Sequence, residues 1–192
     1  MSGPQTASNQ EFGRHAHGQG PDMLEAKLWG NPCPFAFRLN YLALLYNTPL
    51  YGWIQETYRL KRHEYVVLYS LALADGGSAR DISETSGFAP NTLSRAIGRL
   101  EQMGLIEARS KTPGGRRRQA LWLSKEGWAL YHRTCPAFEA QEQRMLEPLS
   151  DGERQMLFEL MSKVVKGAAD WASDPRSDAV KDTRKHRKGA SQ

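Results

Sequence analysis

The sequence predicts a mainly helical protein carrying one small β-hairpin. Two observations in residues 78–124 predict it. One is a pair of short helical segments separated by a glycine and a proline; the other is two strand-like runs joined by a turn rich in glycine and arginine. A third observation is the long helix-periodic apolar segments on either side of that stretch. At 192 residues the chain is long enough for one domain with a real core.

Residues 1–20 are rich in Gly, Gln, Ser and His with hardly any apolar content, so they read as a disordered tail. One folded domain is expected over 21–172, and a second disordered, basic tail over 173–192. The first helical region, about 35–60, begins with FAFRLNYLALLY over residues 35–46. That stretch is apolar nearly all round, which suits an interface better than the surface of a monomer. Thr48-Pro49 predicts a kink or break within it.

The central core is expected at about 62–124. Ser78 and Asp81 have capping-box spacing and open a short helix that Gly87 stops. Pro90 sits where proline is welcome, at the first position of the next helix. From there Leu93, Ala96, Ile97 and Leu100 fall on one side at helical spacing and should face the core. Asn91, Thr92, Ser94, Arg95 and Arg99 are left on the other. These residue types bond base edges and phosphates. On an isolated helix they would be an ordinary solvated face; the segment C-terminal to them decides otherwise.

Gly104 ends the helix, Leu105 to Ser110 reads as a strand, and Gln119 to Leu123 returns as a second. Between them Thr112-Pro113-Gly114-Gly115 is a turn signal, and Lys111, Arg116, Arg117 and Arg118 cluster at the tip with no acid among them. Two helices at a turn followed by a hairpin make a winged helix-turn-helix. Such a fold puts one helix into a DNA major groove and its hairpin arginines toward a narrow minor groove. The outer helices, about 35–60 and 125–170, are expected to dimerise. In the latter, Ser150 and Glu153 form a capping box ahead of an apolar stripe of Leu157, Leu160, Met161, Val164 and Ala168.

The segments NTLSRAIGRLEQMGLI (91–106) and ALWLSKEG (120–127) resemble the multiple-antibiotic-resistance regulator (MarR) family of bacterial transcription factors. With flanking helices the resemblance covers roughly residues 35–168. It implies a homodimer that sets two recognition helices one DNA turn apart, about 34 Å, on a near-palindromic double-stranded operator. It also implies a repressor released by a small, often aromatic or phenolic, effector. The family usually carries Asp-x-Arg in the wing, where the Asp braces the Arg; here the Arg is Arg117 and the Asp position holds Gly115. Tyr46, Trp53, Tyr65 and Tyr69 lie on the helices that would wall the effector cleft, with Trp128 and His132 on the helix after the wing. Trp53 and His132 combine bulk with a polar handle.

The alternatives are a thiol-based redox sensor and an architectural DNA-binding protein without a ligand. The organic-hydroperoxide regulators use a cysteine near the start of the first helix. Cys33 lies close to that point, although the matching position holds Phe37. Cys33 is flanked by Pro32 and Pro34, and Cys135 precedes Pro136, so both are expected outside helix interiors. Two cysteines are too few for a disulfide framework and fit a reducing cytoplasm. No apolar run approaches ~18 residues, so no membrane span is expected, and the N-terminus lacks a signal-peptide pattern. The formal charge of +5 favours a polyanionic partner modestly. The motif sets of hydrolases, nucleotide-binding loops and zinc enzymes are missing, and the five histidines are scattered. His15 and His17 lack neighbours that would complete a metal site. No enzyme activity, cofactor or metal is expected.

Overall fold

The computed structural model describes residues 22–110 and 119–172. A short helix α1, Met23–Trp29, precedes the region read as helical, and Asp22 caps it by accepting from the Leu24 N–H at 3.1 Å. Its Trp29 ring lies under the Arg38 guanidinium, 5.2 Å from the ring centroid. Helix α2, Pro34–Tyr58, starts with proline at its first position and Cys33 as the N-cap residue. It runs without interruption through Pro49, so the break expected at Thr48-Pro49 does not occur. Proline removes one helical hydrogen bond, a cost of ~3 kcal/mol. Leu50 and Ile54, buried just beyond it, hold the helix against the core.

Only the C-terminal half of α2 is anchored. Leu50 and Ile54 are its buried residues, whereas Phe35, Leu39, Leu42, Leu44 and Leu45 are each about half exposed. The helix ends at Arg59, the one non-glycine residue with positive φ (58°) among those described. Helix α3, Arg62–Leu73, follows after a short corner and buries Tyr65, Val67, Leu68 and Leu71.

Helix α4, Ala79–Ser86, opens with the expected box: Ser78 Oγ accepts from the Asp81 N–H, and Asp81 Oδ2 accepts from the Ser78 N–H. Gly87, at φ 72°, closes it in the left-handed conformation. Helix α5, Pro90–Gln102, buries Leu93, Ala96 and Leu100, with Ile97 packed beside them. Strands β1, Ile106–Ser110, and β2, Gln119–Leu123, pair antiparallel with Ile106 opposite Leu123 and Ser110 opposite Gln119. Gly76 donates to the Leu121 carbonyl and the Leu121 N–H to the Gly77 carbonyl, which adds a short third edge. Gly76 has φ 81°, and a Cβ there would lie 2.9 Å from the Trp122 ring.

Helix α6, Lys125–Leu146, passes through Pro136, so Cys135 lies inside a helix, contrary to the expectation. Thr134 and Phe138, buried on either side of the proline, supply the reason. The helix is held where its face is packed. One compact unit ends at Glu139 and contains the core just described; a second begins at Ala140. The second holds α7, Asp151–Lys166, and a final turn α8, Ala168–Trp171. Ser150 and Glu153 cap α7 reciprocally as expected. No residue of α7 is buried: Met156, Phe158, Leu160 and Val165 stand out to solvent.

Candidate nucleic-acid interface

Two local devices orient α5. The turn before it is tied down by Ser83 Oγ, which donates to the Phe88 carbonyl at 2.8 Å. Behind it, Leu93, Ala96 and Leu100 lock one face into the core. The opposite face carries Asn91, Ser94 and Arg95, all exposed, with Thr92 half-buried. Among the described residues Arg95 has no hydrogen-bond or ion-pair partner. Polar and cationic groups at the first two turns of a helix, free of competing contacts, are what groove reading requires.

Arg99 is placed differently. Its Nη2 donates to the Arg59 carbonyl at 3.0 Å, and its Nε lies 3.5 Å from Glu64 Oε1. Glu64 is only 3% exposed. Nothing in the sequence marks Glu64 as part of the site, because a single Glu in a helix carries no signal of its burial.

The hairpin base is tied by side-chain contacts. Arg109 is paired with Glu107 at 2.8 Å and lies over the Trp122 ring. Ser124 ties the hairpin to α6: its N–H donates to the Leu105 carbonyl, its Oγ donates to the Gly104 carbonyl, and its Oγ accepts from the Gly127 N–H. A Cβ on Gly127 would overlap the Leu105 carbonyl oxygen. The Ser-x-x-Gly run after the second strand thus caps α6 and lets it approach the end of β1. Lys111, Arg116, Arg117 and Arg118 lie outside the described residues, as do His15 and His17.

The six aromatic and histidine candidates for an effector cleft gather about three different rings. Tyr46 and Tyr65 surround Phe138. Tyr65 is fully buried, stacked on that ring at 5.1 Å, with its hydroxyl 2.7 Å from Thr134 Oγ1, so it lines no open cleft. Burial pushes its phenol pKa well above the ordinary tyrosine value. Tyr69, Trp128 and His132 gather about Tyr131. Trp53 packs against Tyr58. A cavity of about 440 Å³ runs along one stripe of α2 made by Asn40, Leu44, Asn47, Thr48 and Tyr51, with Arg62 across from it. The Arg62 guanidinium sits 5.2 Å from the Tyr51 ring centroid. Burial raises the Tyr51 pKa, and the nearby Arg62 charge offsets part of that rise. Neither Trp53 nor His132 reaches this cavity's wall.

Cys33 is exposed, and its N–H donates to Asn31 Oδ1 at 2.8 Å. Among the described residues no group of three metal-ligating side chains converges. No helix there is long and apolar enough to cross a membrane.

A model of the MarR family matches residues 60–118. The chain is similar to the transcriptional regulator HosA of Escherichia coli O111:H-, at 26% identity over 113 residues, which is 59% of this chain and 83% of HosA. Its fold is similar to that of a Listeria monocytogenes protein assigned to the MarR family and solved with a 26mer DNA. That match has a TM-score of 0.65 at 20% identity and covers 71% of this chain and 89% of the other. It is also similar to the PcaV transcriptional regulator of Streptomyces coelicolor, solved with its natural ligand. There the TM-score is 0.56 at 26% identity, over 76% of this chain and 96% of that one.

Proposed function

This chain is a MarR-family transcriptional regulator, and from that premise we propose that it is a cytoplasmic homodimeric repressor, displaced from a near-palindromic operator by a small molecule. The observation that carries the reading is the two-sided character of α5. One face is locked by Leu93, Ala96 and Leu100, and the other presents Asn91, Thr92, Ser94 and Arg95, with no competing partner for Arg95 among the described residues. These four residues enter the major groove, and Arg116, Arg117 and Arg118 follow the neighbouring minor groove. The Listeria protein's solved complex with DNA supports the partner class.

The second copy docks on the apolar surface that this chain leaves bare. The N-terminal half of α2 and the whole of α7 expose large side chains, and buried apolar contact at ~25 cal/mol per Å² is the force available to join two copies. The effector occupies the cavity along α2, whose volume of about 440 Å³ suits a small ligand. Asn40, Asn47 and Thr48 offer hydrogen bonds there, and Arg62 offers a cation to a carboxylate or phenolate. PcaV was solved with its own ligand, which supports an effector-responsive reading. By linkage, an effector that weakens operator binding is itself bound more weakly when DNA is present.

The test is selection of duplexes from random DNA by the full-length protein, followed by affinity for the selected and a scrambled duplex at about 150 mM salt. Salt is fixed because phosphate contacts alone imitate affinity. A preference of ~10³ or more, one dimer per site, is expected. Equal, salt-sensitive binding to both duplexes would leave an architectural protein and defeat the repressor reading.

A further inference from the structure

The corner between α2 and α3 concentrates negative potential. The last carbonyls of α2, a 25-residue helix, point into it, so the negative end of its dipole lies there. Glu64, at the third position of α3, brings a carboxylate to the same place. Lys61, the N-cap residue, has no side-chain acceptor, so the corner keeps only the reciprocal half of a capping box: Glu64 Oε2 accepts from the Lys61 N–H at 2.7 Å. The other oxygen is left inside, and a buried carboxylate without a cation is unfavourable. Arg99 answers both needs. It reaches from the last turn of α5 to the Arg59 carbonyl and to Glu64 with one guanidinium. Four residues earlier on the same helix, Arg95 is exposed and has no partner among the described residues.

We propose that Arg99 is a positioning residue for DNA reading: it clamps the C-terminal end of α5 to the α2–α3 corner through Glu64 and the Arg59 carbonyl and makes no phosphate contact. The proposal rests on α5 being the recognition helix. Two arginines one turn apart then have different tasks. Arg95 reads DNA, and Arg99 sets the angle at which Asn91 to Arg95 enter the groove. The planar fork matters, because two acceptors in different directions are met by one side chain. A lysine keeps the charge but reaches one of them at a time.

The experiment compares full-length Arg99→Ala, Arg99→Lys, Glu64→Gln and Arg99→Ala/Glu64→Gln with the unaltered protein. The probes are a duplex selected by the unaltered protein from random DNA and its scrambled counterpart, across a salt series. Glu64→Gln keeps an oxygen for the Lys61 N–H, so the start of α3 is retained. Each phosphate contact contributes about 0.9 to the salt slope. As a positioning residue, Arg99 leaves the slope unchanged on substitution by alanine, while the preference for the selected duplex falls ~10-fold or more, a size typical of disturbed base contacts. Arg99→Lys loses preference as well. Glu64→Gln, which removes a negative charge remote from the groove face, lowers preference in the same way, and the double variant is no worse than Arg99→Ala. Loss of folded protein alone lowers binding to both duplexes equally, so the ratio separates positioning from simple destabilisation. A slope reduced by about one with preference intact would make Arg99 a phosphate contact and overturn the proposal. Indifference of the preference to Glu64→Gln overturns it too, with the function reading left standing. If the unaltered protein selects no duplex, the function reading falls and takes the positioning role with it.

Discussion

Arg95 and Gly127 show how much one side chain, or its absence, decides. Arg95 is exposed, one turn into α5 and without a partner among the described residues. Its replacement by alanine is expected to relax sequence preference at one position of each half-site, at ~1–3 kcal/mol for a bidentate base contact. Duplex selection with the variant checks this; an unchanged selected sequence would remove Arg95 from the groove. Arg117→Ala should instead weaken binding evenly across sequences, with a salt slope reduced by about one. Gly127 acts through space alone. Its backbone lies against the Leu105 carbonyl, and a methyl group has nowhere to go because that oxygen belongs to the backbone. Gly127→Ala should cost ~1–3 kcal/mol as an overpacked contact, against the small gain alanine usually brings to a helix. Urea unfolding would show it, and a midpoint at or above that of the parent would mean α6 shifts at no cost.

At the scale of elements, local signals and packing compete. Caps win at α4 and α7, where serine and an acid three residues on open each helix as their spacing demands. Packing wins at the two internal prolines. Helix α6 continues through Pro136 because Thr134 and Phe138 are buried around it and Thr134 Oγ1 donates to the Leu130 carbonyl at 2.8 Å. Pro136 itself is exposed, so the helix loses a hydrogen bond there and gains no burial in exchange. Pro136→Ala should therefore stabilise the protein by about 1–2 kcal/mol. The restored N–H and relieved clash exceed the entropy that proline removes from the unfolded chain. Thermal unfolding measures this, and a lower Tm would show that the proline shapes a packed bend. The wing divides along the same line. Its base is built from the Arg109–Glu107 pair over Trp122, and the Gly76–Leu121 bonds fasten its edge.

For the whole molecule, the exposed apolar residues of α2 and α7 are the dominant feature. An isolated chain with this much bare hydrocarbon is expected to associate. A Tm that rises with protein concentration and a light-scattering mass of twice the monomer are the expected outcomes. Leu160→Glu should shift the mass toward the monomer while leaving the core of the first unit folded, since Leu160 is half exposed and α7 buries nothing. A monomer at all micromolar concentrations would defeat the dimer. What the sequence determined by itself is the set of local elements. The Ser78–Asp81 box, Gly87 and Pro90 act between residues a few positions apart, and the Leu93–Leu100 stripe and the two strands show as the spacing of apolar residues along the chain, so each leaves a signature in the sequence. The tertiary structure alone decided three other matters. Tyr65 is buried in the core, a cavity follows the Asn40–Tyr51 stripe with Arg62, and Arg99 turns inward to Glu64, far back along the chain. Each depends on which faces meet after the helices pack, and a carboxylate's burial or an arginine's partner is a property of that meeting. Periodicity tells which face of a helix is apolar; only packing tells what stands opposite.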